Sequence, residues 1–349
     1  MPKKSDSTSD RKREHIELCL TDQVAFKNKT TGFEYYDFEH NAITEVDIRK
    51  IDFTTQFFKK KISYPFLISC MTGGTPEAGS INAELAVAAQ KLNIPIGVGS
   101  QRQALENDKY LDTYKIIRKN APTVPVLGNL GAAELVKLKI LDKVSYLVDI
   151  INADAMIIHV NSLQELLQPE GEPNFKGLLK KLNMLTKKLK VPVIVKEVGS
   201  GISKRAVQKL LDNGVQGIDV AGAGGTSWAG VEILRSTNSK GDEFWDWGLP
   251  TAFCIKQIAP LKEYHEFVLI GSGGINSAFD AAKALALGAD VAASARIILQ
   301  TLDKGGVEGV ISLVTGWFKT IKKIMFLTGS NNLYEFRHKN NLIHKSELY

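Results

Sequence analysis

The chain has 349 residues, 44% hydrophobic and 23% charged, the balance of a globular protein with a sizeable core. Its 44 Lys and Arg against 38 Asp and Glu leave a net charge of +6. That suits anionic small molecules and, without a clustered basic patch, sets nucleic acid aside as an expected partner. Cys19, Cys70 and Cys254 are too few and too far apart for a disulfide framework or a zinc site, which points to a reducing compartment. No apolar leader opens the N-terminus and no apolar run has the length of a membrane span, so the expected location is cytoplasmic, with no membrane partner.

In chain order, residues 1–63 read as an N-terminal extension. Residues 1–10 are polar and expected to be disordered. Residues 11–20, RKREHIELCL, make a weak helical stripe with Asp10 as a possible N-cap. Arg11, Lys12, Arg13 and His15 place cations at the positive end of that helix, an unfavourable arrangement that a nearby anionic ligand would relieve. Residues 33–63 look irregular, with a possible strand over Asp47 to Phe53.

From residue 64 to 329 a regular alternation takes over. Strands are expected at 64–71, 95–99, 124–129, 154–161, 191–198, 217–222, 267–274 and 290–295. Helices are expected at about 77–92, 107–119, 132–151, 175–189, 203–213, 250–261, 277–287 and 306–326, with Ala223 to Gly248 as a long loop. Residues 330–349 read as a polar tail. Eight such units in about 250 residues predict an α/β fold, a (β/α)8 TIM barrel carrying an N-terminal extension. A doubly wound open sheet is the alternative, but it usually has fewer strands, and no G-x-G-x-x-G opens a helix.

In such a barrel every strand end faces one mouth, where ligands bind. Those ends are Met71-Thr72-Gly73-Gly74, Ser100-Gln101-Arg102, Gly128-Asn129, His159-Val160-Asn161, Lys196-Glu197, Ala221 to Thr226, Ser272-Gly273-Gly274 and Ala295-Arg296. The opposite ends carry Pro65, Pro95, Pro125 and Pro192. Glycine and polar specialisation at one rim only predicts an enzyme. The stretch DAMIIHVNSLQE (154–165) concentrates the chemistry: His159 and Asn161 share a strand face, with Gln164 and Glu165 expected just beyond it in a loop. Read alone, it could equally be a strand end with a solvated polar loop.

The loops GSGGIN and ASAR after strands seven and eight are placed to bind phosphate with backbone N–H groups, and Thr226 in GAGGTS can add a donor. Lys196 could form a Schiff base, act as a base, or donate to an anionic ring, or simply snorkel. Thr72, Ser100 and Asn129 are neutral groups suited to a planar heterocycle such as an isoalloxazine. Glu165 is the candidate ligand for a divalent cation, which as a single carboxylate points to Mg2+ shared with a ligand's phosphates.

At these residues the chain resembles the FMN-dependent type 2 isopentenyl diphosphate isomerases. The resemblance is carried by RKREH (11–15), MTGG (71–74), VGSQR (98–102), GNLGA (128–132), HVNSLQELLQPEG (159–171), VKEVGSGIS (195–203), GAGGTSWAGVE (222–232), WGLPT (247–251), SGGI (272–275) and ASAR (293–296). HVNSLQE with GGTSW is the specific part. The resemblance implies interconversion of isopentenyl and dimethylallyl diphosphate, a redox-neutral proton shift in isoprenoid biosynthesis. It also implies FMN kept reduced through NADPH, Mg2+, and assembly as a homotetramer or homo-octamer.

It further implies that Met71, Thr72, Gly73, Gly74, Ser100, Asn129, Lys196, Thr226, Gly273, Gly274, Ala295 and Arg296 hold FMN. Arg11, Lys12, Ser100, Gln101 and Arg102 would bind the diphosphate substrate, with His159 and Gln164. His159, Asn161 and Gln164 would form the catalytic group, and Glu165 would bind the metal. Two positions depart from the family pattern: Asn276 stands where an arginine is common, and Ser200 replaces a larger residue. An FMN-dependent barrel oxidoreductase acting on a small hydroxy acid or enone is the alternative. It would need neither Glu165 as a metal ligand nor the N-terminal basic pair. A non-catalytic barrel that binds a phosphate ligand is a third reading, disfavoured by the polar groups at His159, Asn161 and Gln164.

Overall fold

The computed structural model describes residues 8–235 and 242–348. Eight parallel strands close into a barrel: β1 (Phe66–Ile68), β2 (Ile96–Gly97), β3 (Val126–Gly131), β4 (Ala155–Val160), β5 (Val193–Glu197), β6 (Gly217–Asp219), β7 (Val268–Ser272) and β8 (Val291–Ser294). Each pairs with the next, and β8 pairs with β1, Ala293 opposite Leu67. All eight expected strands are present, and the barrel fold is as expected.

Side-chain alternation sorts each strand into two columns. One column points outward under the helices, with Phe66, Ile68, Val126, Met156, Ile158, Val193 and Val195 in the larger core. The other points inward, where Leu67, Leu127, Ala155, Ile157, Ile194, Ile270 and Val291 form a separate core. A hairpin of Thr55–Phe57 and Lys60–Ile62 plugs the N-terminal end of the barrel, its Phe57 and Ile62 joining that inner core. Lys60 pairs with Asp154 at 2.8 Å below β4, and Asp154 also meets Arg118 at 2.6 Å and accepts from the Val126 amide at 2.9 Å.

Several local expectations are corrected. Asp47 to Phe53 is not a strand. Asp47 accepts from the Arg49 amide and bends the chain into a 3-10 turn, Ile48–Lys50, and the strands lie later, in the hairpin. The helix Thr8–Leu20 starts before Asp10, which therefore lies inside it; residues 1–7 of the expected disordered segment fall outside the described residues. The loop expected at 223–248 contains the helix Trp228–Arg235, whose first turn is capped by Ser227 Oγ accepting from the Gly230 amide at 3.0 Å. Glycine-rich composition concealed it. Gln164 and Glu165 sit on a short helix, Ser162–Leu167, rather than in a loop. The last barrel helix runs Arg296–Leu327, broken only at Gly306 (φ 59°). The tail is ordered too: Asn332 caps the helix Leu333–His338, and Leu342–His344 pairs antiparallel with Tyr36–Phe38.

Candidate active site

The inward columns change character toward their C-terminal ends. Leu127 is followed by Asn129, Ile157 by His159, Ile194 by Lys196, Gly217 by Asp219 and Ile270 by Ser272. Strand register aligns the middle three into one layer: His159 lies opposite Lys196, and Lys196 opposite Asp219. This polar layer forms the floor of a cavity of about 280 Å³ at the barrel mouth. The helix Thr8–Leu20 contributes Arg11, Lys12, His15, Ile16 and Cys19 to its lining.

The floor is electrostatically ordered. Asn129 Nδ2 donates to the Val98 carbonyl at 3.1 Å, so its Oδ1 faces His159 Nδ1 at 2.8 Å and must accept from it. The imidazole is therefore the Nδ1–H tautomer, with Nε2 a free lone pair. Burial, reinforced by the Lys196 charge, holds His159 down to about 4, so it is neutral near pH 7. Lys196 Nζ donates to the Glu197 carbonyl at 2.7 Å and lies 3.8 Å from the Asp219 carboxylate. Burial raises the Asp219 pKa, opposed by Lys196 and by the Ser272 hydroxyl that donates to it. Burial likewise raises Glu197 to about 7, although its Oε2 accepts from the amides of Val198, Gly199 and Ser200 at 2.6–2.7 Å.

A second group lies between the strand ends and the N-terminal helix. Asn161 Nδ2 donates to Gln164 Oε1 at 3.2 Å and to Glu165 Oε1 at 3.0 Å. Gln164 Nε2 donates to Glu232 Oε1 at 2.8 Å. Glu232, fully buried, also faces His15 Nε2 at 3.1 Å and accepts from Arg235 Nη1 at 2.6 Å. Asn161 Oδ1 is buried and has no partner among the described residues. Glu165 Oε2 accepts from the Glu172 amide at 2.8 Å, which fixes the carboxylate at the rim.

The rim is cationic but partly neutralised. Arg102 bonds Glu106 at 2.9 Å and Glu134 at 3.1 Å. Lys12 is drawn into the barrel wall: its Nζ donates to the carbonyls of Gly73 and Ser100, to Gln103 Oε1 at 2.8 Å, and meets the Tyr114 hydroxyl at 3.2 Å. Burial, with Arg11 and Arg102 nearby, lowers it to about 7.

At the opposite side the loops after β6 and β7 touch through backbone alone. A Cβ on Gly225 would lie 2.4 Å from the Gly274 amide nitrogen, so only glycine permits the approach. Arg296 opens the helix Arg296–Leu327, and its Nη1 is buried without a partner among the described residues. An unpaired guanidinium N–H at a helix N-terminus, beside glycine-lined backbone, is the environment of a phosphate.

Of the residues singled out from the sequence, Arg11, Lys12, Met71, Thr72, Ser100, Arg102, Asn129, His159, Asn161, Gln164, Glu165, Lys196, Thr226, Gly273, Gly274, Ala295 and Arg296 line this one cavity. Gly73, Gly74 and Gln101 do not. Gly73 makes room for the Tyr114 ring, since a Cβ there would lie 2.2 Å from it. Gln101 is fully buried in the wall, bonded to the Leu147 carbonyl and the Asn129 amide. Trp228 and Glu232 carried no expected role, and His15 was expected only as a helix-end cation, whereas burial lowers its pKa and sets it against Glu232; all three lie in the quoted motifs. Their signal was the join between two distant helices, which spacing along the chain does not display.

A closed parallel barrel with such a mouth is the architecture of the FMN-dependent dehydrogenases, and the chain belongs to that family, which matches residues 5–108 and 154–343. Among solved structures it is similar to a putative lactate oxidase of Pediococcus acidilactici (TM-score 0.69, 15% identity, 99% of this chain and 96% of that one). It is also similar to a mutant flavocytochrome b2 with pyruvate bound (TM-score 0.68, 18% identity, 95% and 82%). At those identities the likeness concerns the fold.

Sequence relatives are more specific. The chain is 45% identical over 346 residues to the isopentenyl-diphosphate delta-isomerase of Pelodictyon phaeoclathratiforme, covering 95% of this chain and 96% of that protein. It is 45% identical over 347 residues to the isopentenyl-diphosphate delta-isomerase of a Nostoc species, covering 98% of each. It belongs to the type 2 isopentenyl-diphosphate delta-isomerases, as its motifs implied.

Proposed function

We propose that this chain interconverts isopentenyl and dimethylallyl diphosphate in isoprenoid biosynthesis, with reduced FMN, NADPH as reductant and Mg2+. Family membership supports the reaction. The observation that carries it in the structure is the amide pair Asn161 and Gln164, a neutral hydrogen-bonded wall between a cofactor-sized floor and a cationic rim, with the Glu232 carboxylate held behind Gln164 and outside the cavity lining. Isomerisation adds a proton at the terminal carbon of the double bond and removes one from the carbon on its other side. The intervening carbon gains positive charge, so the wall must offer dipoles and no nucleophile.

The residues present fit FMN. Thr72, Ser100, Asn129 and Lys196 offer groups for the ring. Thr226, Gly273, Gly274, Ala295 and the unpaired Arg296 Nη1 offer groups for its phosphate. Reduced FMN, when bound, supplies an electron-rich acid/base surface for the proton shift. Lys196 gives that surface a cationic neighbour balanced by Asp219.

Among the described residues no three His, Cys, Asp or Glu side chains gather to bind a metal. Glu165 therefore suits Mg2+ only when the substrate's diphosphate completes the shell. Arg11 and Arg102 pair with the diphosphate charge. His159, neutral in the free site, presents an acceptor at Nε2 and becomes a donor to phosphate only by taking up a proton. The Lys12 ammonium secures the N-terminal helix against the rim, so the helix presents Arg11 and His15 to the cavity. Gln164 and Asn161 orient the alkene end. Among the described residues no helix is long and apolar enough to cross a membrane. Assembly as a homotetramer or homo-octamer is read by light scattering.

Purified protein given FMN, NADPH, Mg2+ and isopentenyl diphosphate without air tests the reading. Catalytic dimethylallyl diphosphate with trace NADPH loss supports it. Stoichiometric NADPH loss with an organic acceptor, or bound flavin without isomerisation, moves the assignment to an oxidoreductase.

A further inference from the structure

Gln164 can face either way in its pocket, because an amide's oxygen and nitrogen are nearly isosteric. What decides the direction is the group at the far end of its contacts. Glu232 is fully buried, and when ionised it can only accept. Gln164 must then donate Nε2 to it at 2.8 Å, which turns Gln164 Oε1 toward Asn161 Nδ2 at 3.2 Å. Asn161 Nδ2 also donates to Glu165 Oε1 at 3.0 Å, and the two contacts leave Oδ1 as the atom with no partner among the described residues. Were Glu232 protonated, it could donate instead, and the Gln164 amide could reverse.

A carboxylate with no exposure stays ionised only beside a compensating charge. Three elements pack around it. Its own helix, Trp228–Arg235, supplies Arg235, whose Nη1 donates to Glu232 Oε2 at 2.6 Å and whose side chain is 5% exposed. The helix Ser162–Leu167 supplies the neutral Gln164. The helix Thr8–Leu20 supplies His15, at 3.1 Å, whose own pKa is lowered by burial, and Glu14, which binds Arg235 Nε at 2.8 Å. Arg235 is the permanent cation next to Glu232, and His15 adds to the compensation whenever it is protonated.

We propose that Arg235 is a positioning residue for the reaction: by keeping Glu232 ionised it sets the direction of the Gln164 amide, and with it the oxygen that Gln164 turns toward Asn161. Through Glu14 the same guanidinium joins the N-terminal helix to this network. The role in the reaction rests on the isomerase reading; the Arg235–Glu232 coupling does not.

Two measurements separate them. Infrared titration of the protein, with Glu232 assigned by the band lost in Glu232→Gln, reads its protonation directly. Between pH 5.5 and 9 the wild-type carboxyl should stay ionised, whereas in Arg235→Met it should titrate within that range. A Glu232 that stays ionised in Arg235→Met overturns the proposal whatever the activity.

In the isomerisation assay at pH 7, Arg235→Met should lower kcat at least 10-fold with KM for isopentenyl diphosphate changed less than 3-fold. Activity should be recovered as pH rises through the new Glu232 titration, and Arg235→Lys should recover most of it at pH 7. A loss that neither pH nor lysine recovers overturns the positioning role and leaves Arg235 a structural residue. A wild type that does not isomerise, with the infrared result as expected, sinks the isomerase reading and leaves the coupling standing.

Discussion

The Arg296 guanidinium offers the sharpest test of where the cofactor's phosphate lies. Its Nη1 is buried at the N-terminus of the helix Arg296–Leu327 and has no partner among the described residues. An unsatisfied buried donor costs about 1–3 kcal/mol, and a hydrogen bond to a charged group returns about 1.5–3 kcal/mol. Arg296→Met keeps the apolar stem and deletes the donor. Two effects of opposite sign follow. FMN affinity of the apoprotein should fall about 10- to 150-fold, at about 1.4 kcal/mol per factor of ten. The apoprotein itself should be more stable, by roughly 1 kcal/mol, or on the order of 2 °C in Tm for a chain of this size. Titration calorimetry with FMN reads the first and a thermal melt of apoprotein the second. Riboflavin, which lacks the phosphate, should bind both proteins equally. An FMN affinity within twofold of wild type, or equal losses for FMN and riboflavin, would refute the phosphate assignment. A variant less stable as apoprotein would show that Arg296 is part of the wall.

Two further predictions concern opposite ends of the barrel. His159 is held near 4 by burial and Lys196, so its folded pKa lies below the ordinary value near 6.5. Its contribution is then fully present above pH 6.5 and is lost as pH falls toward 4, up to about 3 kcal/mol. Imidazole nitrogen NMR of the ligand-free protein should show the Nδ1–H tautomer unchanged from pH 7.5 to 5, and titration near 6.5 would contradict the assignment. At the N-terminal end, Asp154→Ala strands Lys60, Arg118 and the Val126 amide. It should cost about 2 kcal/mol in denaturant unfolding with kcat unchanged; a comparable loss of kcat would mean the two ends of the barrel are coupled.

Much of the fold was legible because each strand is a short apolar run ending in glycine or polar residues, and several of the helices between them open on a serine or threonine cap. Ser203 and Ser277 cap as their sequence contexts indicate, accepting from Ala206 and Asp280. The polar floor was legible for a related reason. Alternation carries Asn129, His159 and Lys196 inward once their strands are recognised. The elements missed are those whose structure comes from distant partners. Trp228–Arg235 is a helix in glycine-rich sequence, pinned by Ser227 and by Trp245, whose Nε1 donates to the Ala25 carbonyl. The tail strand Leu342–His344 forms only because Tyr36–Phe38 offers an edge.

The sequence by itself therefore determined the barrel, the end of it that carries chemistry and the family, since these follow from period, capping and local motif. Tertiary structure alone decided what each polar group does there. It drew Lys12 into the wall, set Gly73 against Tyr114, and brought Glu14 and His15 of one helix onto Arg235 and Glu232 of another. The contacts of His15 with Glu232 and of Glu14 with Arg235 join groups more than 200 residues apart, and spacing along the chain does not encode them.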